Sequence, residues 1–412
     1  MRHITSVNIL WTIIFCQSFF SSNSFADNTF SDNWYVEQYL KTSASSRLEG
    51  NNKLTTQVNA FALKAEYQTD DIAFNFDGEL QYDAAYDFHS GFSNQAKDEY
   101  KYRFWLNEAY FQWGWGHYDI SLGYQKIVWG RADDLRIVDV VNPLNLKDFV
   151  LFDLDEYKIS QPMLRVETTL SDWDIEGLWV LASEPNKLPP TGSEFNLSST
   201  GSIPDSHPND GEFGIQAQIF LHGTDISFYA FRGRNDNPVL TNTATGYRFE
   251  YYQETMFGTS LSRPIGNWIT RSELAWFSDR EFNRIDFSRT NSDVLQWLVG
   301  IDYLYKDWLF TGQATDRNII DWDNDYSAEE NEPLYTLSAD ATLASGKTAV
   351  RFAVSHADSL GGGQLYQSKL SYRPNNKWEL QLNVDILSGN QANFFGQFSN
   401  KDRIWIAVNY LL

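Results

Sequence analysis

The sequence has almost no sulfur chemistry available and no long apolar run. Its single cysteine, Cys16, lies near the start of a 412-residue chain, so the remainder has no disulfide and no cysteine metal site. No stretch offers the roughly 20 consecutive apolar residues that a membrane-spanning helix needs. The net charge of −22 at pH 7 argues against binding nucleic acid or anionic lipid through charge. Any membrane residence must therefore use strands.

An export signal is present at the amino terminus. Arg2 is followed by an apolar stretch over residues 9–20 and by the small-residue exit Ser24-Phe25-Ala26. This order is typical of a cleaved secretory signal. We predict that residues 1–26 are a signal peptide and that residues 27–412 form one barrel domain.

Apolar and polar residues alternate strictly along much of the chain. Between residues 72 and 86, apolar side chains occupy one face, while Asp77, Glu79 and Asp83 occupy the other. Residues 378–386 repeat the pattern. A period of two is that of a β-strand and fits no helix. Aromatic residues make up 16% of the chain, as in barrels with aromatic girdles at both membrane interfaces.

The spacing of these segments indicates a membrane barrel. We predict eighteen strands near residues 34–48, 53–67, 72–86, 101–115, 118–129, 162–170, 173–183, 211–221, 224–234, 246–262, 268–281, 291–305, 308–322, 333–345, 347–358, 364–373, 377–388 and 402–412. Tight turns alternate with longer connections, as in bacterial outer-membrane barrels. The predicted fold class is all-β, a transmembrane antiparallel β-barrel of about 18 strands in the cell outer membrane. A barrel of 16 strands is the alternative if the first hairpin lies outside the wall.

The longest connection, at about 130–160, is unusually apolar. It contains eight apolar side chains, at Leu135, Ile137, Val138, Val140, Val141, Leu144, Leu146 and Phe149. A connection with this content must bury it, and the available place is the barrel interior. We therefore predict a long loop folded into the lumen. A short helix over 133–141, capped by Asp133 or Asp134, is expected to end before Pro143.

We assign the pore constriction to this loop. Trp129 and Gly130 are predicted to form the corner that turns the chain inward, and Asn142-Pro143 to end the inserted segment. Five charged residues are predicted to line the constriction: Arg131, Asp133, Asp134, Arg136 and Asp139. These charges either contact the solute or pair with wall residues to hold the loop, and the sequence favours neither.

The carboxyl terminus carries a second predicted site. Its outward-facing residues are expected to form an insertion signal for the barrel-assembly machinery: Ile406, Val408, Tyr410 and Leu412. The acidic excess also predicts a lumen that favours cations. A preference for anions would instead indicate that basic residues dominate the narrow region, namely Arg131, Arg136, Arg351 and Lys369.

The sequence gives little support for catalysis or metal binding. His356 is the one histidine at a position suited to a hydrolase, but its neighbour Ser355 must point to the opposite face of the strand. The acidic tract 321–325 lacks the glycine and the terminal glutamate of a calcium loop. We predict no enzymatic activity, no cofactor and no metal.

One segment resembles a known family. The run Gly123-Tyr124-Gln125-Lys126-Ile127-Val128-Trp129-Gly130, followed by Asn142-Pro143-Leu144-Asn145, resembles the signature of an uncharacterised family of proteobacterial outer-membrane barrels. Tyr124 stands where that family usually has Arg, and Asn145 where it usually has Asp. The plan is similar to that of alginate-export channels. Family members often accompany RND-type exporters and a periplasmic lipid-binding-like protein, which implies traffic of an apolar or amphipathic compound.

Two functions are compatible with these features. The first is a porin-like channel for passage or export of small or amphipathic solutes, coupled to an RND-type efflux or lipid transport system. The alternative is a structural or surface-binding barrel with a closed lumen. Expected partners are outer-membrane lipid and lipopolysaccharide, the barrel-assembly machinery, the exporter and its lipid-binding protein, but not nucleic acid.

Overall fold

A computed structural model gives the structure of this chain. It describes residues 33–412, apart from gaps at 50–53, 89–90, 133–134, 150, 152–156, 197–210 and 244–245. The predicted signal peptide and the two aspartates Asp133 and Asp134 therefore lie outside the described residues.

Strands make up most of the described chain. They are β1 (Trp34–Arg47), β2 (Leu54–Gln68), β3 (Ile72–Asp83), β4 (Tyr102–Trp115), β5 (Tyr118–Gln125), β6 (Gln161–Leu170), β7 (Trp173–Val180), β8 (Glu212–Leu221), β9 (Thr224–Arg234), β10 (Val239–Thr243), β11 (Gly246–Glu250), β12 (Gln253–Ile265), β13 (Trp268–Asn283), β14 (Arg289–Tyr305), β15 (Trp308–Ile319), β16 (Leu334–Leu343), β17 (Thr348–Ala357), β18 (Gly363–Asn375), β19 (Trp378–Gly389) and β20 (Arg403–Leu411). Two short helices, α1 (Ala85–Phe88) and α2 (Asn94–Tyr100), lie between β3 and β4.

Eighteen of these strands form one closed antiparallel barrel. β1 pairs with β2 on one side and with the last strand, β20, on the other. β9 pairs directly with β12, so the small hairpin β10–β11 lies outside the wall. Because the first hairpin is part of the wall, the prediction of 18 strands is confirmed and the alternative of 16 is wrong.

The two faces of the wall differ as the alternation predicts. Met256 is 1% exposed and points inward, whereas the adjacent Phe257 is 52% exposed and points outward. On β13, Phe277 and Trp276 repeat this contrast. An outward apolar band is what lipid requires, and it places the chain in the outer membrane. Among the described residues, no helix is long and apolar enough to cross a membrane.

The structure corrects two local predictions. The predicted strand 246–262 is two strands, β11 and β12, which belong to different sheets. A break of two residues preserves the period of two, so alternation could not reveal it. The predicted helix over 133–141 is wrong for residues 135–141, which are irregular. There the side chain of Arg136 binds the carbonyl oxygens of Asp139 and Asn142, at 2.7 and 2.6 Å, within an irregular turn of backbone.

Candidate functional site

The segment between β5 and β6, residues 126–160, is called the lumen loop here because it contacts inward-facing side chains of the wall. Its base is closed by Asn142, which is fully buried. The Asn142 amide donates to the carbonyl oxygens of Gln125 and Ile159, at 3.0 and 2.9 Å. Its side-chain oxygen accepts the backbone N–H of Ile127 at 2.6 Å. One side chain thus joins the end of β5 to both arms of the loop.

Trp129 and Gly130 lie where the loop turns against the wall. The Trp129 indole packs 5.3 Å from the ring of Tyr229, between ring centroids, and is 2% exposed. Gly130 has a positive φ of 87°, and a Cβ there would lie 2.6 Å from a carboxylate oxygen of Glu273. A side chain at this position would be strained by the positive φ, and it would displace the Glu273 carboxylate.

Strand β13 holds the next residues by their backbone. Glu273 accepts the backbone N–H groups of Arg131 and Ala132, the latter at 2.9 Å. Arg271 donates to the carbonyl oxygen of Arg131, also at 2.9 Å. These contacts fix the backbone of the predicted constriction residue Arg131 to the wall.

Arg136 and Asp139, the other described charges of the predicted constriction, bind within the loop itself. Asp139 forms an ion pair with Lys158 at 2.7 Å, and the Lys158 side chain is only 1% exposed. Lys158 also donates to the carbonyl oxygen of Ile127 at 3.2 Å. Together with the Arg136 contacts, this pairing is internal to the loop, whereas the holding role predicted from the sequence was pairing with wall residues. Asp139 nevertheless borders a lumen cavity, so its role in the constriction stays a prediction.

An apolar patch on the inner wall receives the loop. Its buried residues come from six strands: Met163, Leu178, Val180, Tyr229, Phe231, Met256, Ala275, Phe277, Val294 and Leu298. Ile137, Val138 and Val141 of the loop pack on it. At Gly258, an added Cβ would lie 2.6 Å from Val138 Cγ1, so the lack of a side chain at Gly258 leaves the space that Val138 occupies. Sequence reasoning missed this patch, whose signal is apolar residues at inward positions of the alternation.

At least three cavities border the loop in the described part of the barrel, and one of them, of about 520 Å³, lies beside Gly130 and Arg131. The lower cavity, of about 880 Å³, lies towards the short turns, and its lining includes Val128, Leu135, Leu304, Leu309, Asp340, Arg351 and Lys369. The upper cavity, of about 260 Å³, lies towards the long connections, and its lining includes Lys41, Arg103, Trp105, Tyr157, Arg403 and Trp405. The lumen is therefore partly open on the side away from the apolar patch.

Aromatic rings from three long connections meet at the loop end of the barrel. We call this cluster the aromatic cap: Phe149, Phe195, Phe394, Phe395 and Phe398. Phe149 has a positive φ of 59° and lies 4.6 Å from Phe398 and 4.8 Å from Phe394, between ring centroids. Nearby, Arg47 of β1 donates to Glu194 at 2.5 and 2.7 Å. The lumen loop and the outer connections are thus locked together.

The acidic side chains of the lumen are largely paired. Glu79 binds Lys41 at 2.7 Å, Asp385 binds Arg403 at 2.8 Å, and Asp340 binds Arg351 at 3.3 Å. Asp77 accepts from the Asn107 amide, and Asp83 accepts two backbone N–H groups. Much of the predicted acidic lining is therefore neutralised locally.

Three residues of the predicted insertion signal, Ile406, Val408 and Tyr410, lie on the closing strand β20, and Leu412 directly follows it. Ile406 pairs with Ala44 of β1 and with Leu382 of β19. Tyr410 packs its ring 4.6 Å from Trp378, and the backbone N–H of Leu412 donates to Gln38 at 3.0 Å. Val408 lies between them on the same face. These residues close the barrel, while their recognition by the assembly machinery stays a prediction.

His356 lies at the outer rim of β17. Its Nδ1 is 2.9 Å from the Gln364 amide, and its Nε2 is 3.8 Å from Asp358. The ring stacks near Tyr335, which is exposed on the outward face, so Ser355 points the other way. Within the described ranges, no cluster of three or more potential metal ligands occurs.

Comparison with known proteins adds the family and the fold. No curated protein matches this chain in sequence. Among solved structures, the outer membrane protein OpdK of Pseudomonas aeruginosa is similar, with 12% identity, a TM-score of 0.55, and coverage of 93% of this chain and 100% of OpdK. OccAB3 of Acinetobacter baumannii has 10% identity and a TM-score of 0.55, covering 93% and 100% of the two chains.

OccK8 (OprE) of Pseudomonas aeruginosa has 11% identity and a TM-score of 0.58, with coverage of 93% and 99%. These likenesses show the fold of outer-membrane porins. A family model described as "Protein of unknown function (DUF1302)" matches residues 22–412. Because the match covers nearly the whole sequence, the chain belongs to the DUF1302 family.

Proposed function

We propose that this barrel is an outer-membrane channel for the passage or export of small or amphipathic solutes. The lower cavity is the observation that carries the proposal. Val128 and Leu304 are 66% and 53% exposed there, although both lie on the lumen side. Exposed aliphatic side chains cost free energy in water, and a solute with an apolar part would cover them. Arg351 and Lys369 border the same cavity and suit a polar or charged end of the solute.

The wider setting of the channel belongs to the same proposal. The likeness of the Trp129-Gly130 and Asn142-Pro143 segments to exporter-associated barrels supports coupling to an RND-type system and a periplasmic lipid-binding protein. We propose transport, with no enzymatic step and no cofactor, as the activity. The barrel-assembly machinery, outer-membrane lipid and lipopolysaccharide are its proposed partners in the membrane.

One observation favours the alternative of a closed lumen. The aromatic cap joins Phe149 of the lumen loop to Phe195 and Phe398 across the loop end of the barrel. If this cap stays closed, the barrel would act as a structural or surface-binding protein. Single-channel recording in planar bilayers separates the two functions, because a channel gives discrete conductance steps and a closed barrel gives none.

The amphipathic preference has its own test. Octanoate and butyrate share a head group and differ in chain length, and each is added as a blocker of the single-channel current. In a Val128→Gln variant, block by octanoate should weaken about fivefold, corresponding to roughly 1 kcal/mol of lost apolar contact. Block by butyrate should change little. Val128→Leu is the matched control and should retain octanoate block. Equal octanoate block in wild type and Val128→Gln would contradict the preference.

A further inference from the structure

The upper cavity contains three basic side chains, and two of them are firmly paired. Lys41 lies 2.7 Å from Glu79. Arg403 lies 2.8 Å from Asp385, and the two side chains are only 6% and 3% exposed. Their charges are therefore compensated by the wall itself.

Arg103 differs from both. Within the described part of the chain, its ion pair is with Asp148 of the lumen loop, at 3.8 Å between NH1 and Oδ2. Its buried Nε has no hydrogen-bond partner among the described residues. A guanidinium has five N–H donors, and burying donors without acceptors costs free energy. The side chain as a whole is 14% exposed and lines the cavity, so the remainder of its guanidinium can meet an acceptor that enters there.

The guanidinium is held from behind by an aromatic ring. Arg103 Cζ lies 5.3 Å from the ring centroid of Tyr100, the last residue of α2. Tyr100 is 3% exposed and donates its hydroxyl to the carbonyl oxygen of Lys147 at 2.7 Å. Burial raises the pKa of this hydroxyl, which therefore keeps its proton. The fixed ring restrains the guanidinium, so less freedom is lost when it binds an acceptor.

Flat surfaces surround the same cavity. Trp105, Tyr157 and Trp405 contribute to its lining. The Trp105 indole is held by a hydrogen bond to Asn107, at 2.9 Å, which fixes the orientation of its ring. In a cavity of about 260 Å³, aromatic faces favour small planar ligands, which can stack against them. A guanidinium suits a carboxylate, which it can bind through two parallel hydrogen bonds.

We infer that Arg103 is the residue that selects solutes in the upper cavity, by binding the carboxylate of a small aromatic acid whose ring packs against Trp105 or Trp405. The inference rests on the proposed channel function and adds a substrate class to it. Asp148 competes for the same guanidinium, so an entering carboxylate must replace its 3.8 Å contact. Arg103 acts as a binding residue and forms no covalent bond.

Block of the single-channel current by benzoate and by benzyl alcohol tests the inference. The two probes have the same ring and differ in charge. In Arg103→Gln, the blocking potency of benzoate relative to benzyl alcohol should fall about tenfold, the effect of losing one charged hydrogen bond. Asp148→Asn should raise the same ratio, because the competing carboxylate is gone. Arg232→Gln is the matched control: Arg232 is exposed on the outward face and bonds Thr255 and Gln253, so the ratio should not change.

The result that overturns the inference is an unchanged ratio in both Arg103→Gln and Asp148→Asn, with both variants heat-modifiable like the wild type. Failure of the channel itself gives a different outcome, since the wild type would then show no conductance steps. Equilibrium dialysis of benzoate against detergent-solubilised barrel keeps the test valid in that case. Binding that is lost in Arg103→Gln and kept in Arg232→Gln supports the site without transport. Equal binding by the two variants contradicts it.

Discussion

Trp129 donates its indole N–H to Glu176 over 2.7 Å, and this bond ties the corner of the lumen loop to the inner face of β7. Glu176 also pairs with Arg165 of the neighbouring strand. Glu176 is only 7% exposed, so loss of either donor leaves its buried carboxylate with an unsatisfied hydrogen-bond acceptor.

The first prediction follows from this bond. Trp129→Phe keeps an aromatic ring but removes the donor, and we expect a loss of about 1–3 kcal/mol in the stability of the seated loop. The open-channel current should then become noisier while the barrel still assembles. Trp179→Phe is the control. Trp179 lies on β7, the strand of Glu176, but it is 45% exposed on the outward face. Equal current noise in the two variants would show that the bond does not restrain the loop.

The second prediction concerns the whole loop. Replacing residues 133–148 with a short linker should raise conductance severalfold, because the segment packed against the inner wall is removed from the lumen. The excision also removes Val138 and Val141, whose burial stabilises the folded protein by about 1–2 kcal/mol each. A closed barrel of 18 strands should tolerate this loss of stability.

The control for this excision is removal of residues 239–250, the β10–β11 hairpin outside the wall, which should leave conductance unchanged. An unchanged conductance after the loop excision would move the preference to the surface-binding function. So would ready proteolysis of residues 133–148 from the cell surface.

The third prediction concerns the closing strand. Deletion of residues 404–412 should abolish delivery to the outer membrane, since β20 pairs with both β1 and β19 and no other strand can close the wall. Replacing Ile406, Val408 and Tyr410 together by serine keeps the backbone and tests recognition separately from closure. Outer-membrane fractionation and heat modifiability are the measurements. A normally delivered, heat-modifiable serine variant would refute a recognition role for these three side chains.

The fourth prediction concerns ion selectivity. Cation preference follows from the acidic excess, but pairing of Glu79, Asp340 and Asp385 should make it weak. Arg351→Gln removes the partner of Asp340 and should shift the reversal potential towards cations under a salt gradient. The effect should fade at high salt because the charges are screened. Adding Asp340→Asn to the same variant should return the potential to the wild-type value. Clear anion preference in the wild type would mean that basic residues dominate the narrow region.

The strand pattern was predictable because its cause is local. Adjacent side chains of a strand face opposite sides, so a lipid-facing wall forces alternation that can be counted along the chain. Strand number, loop lengths and the outward position of Ile406 and Tyr410 all follow from it. The alternation failed at residues 251–252, where a break between two sheets leaves the period unchanged.

The site was predictable only in part. Burial of the loop followed from its aliphatic content, and Gly130, predicted at the corner, has a positive φ of 87°. No sequence pattern indicates that Asp139 pairs with Lys158, nineteen residues further along the loop. The inward apolar patch around Met256 and Phe277 was not predicted either, because the general pattern of membrane barrels places polar residues on the lumen side.

By itself, the sequence determined a closed wall of strands in which apolar and polar residues alternate. It also determined that the long connection at about 130–160 must bury its apolar side chains. Only the tertiary structure decided where that connection lies. Arg131 and Glu273 are 142 residues apart, and Trp129 and Glu176 are 47 apart, yet each pair is in contact. Such contacts depend on how strands distant in sequence are brought together by barrel closure. Alternation sets the face on which each side chain lies, whereas closure sets which residues meet across the lumen.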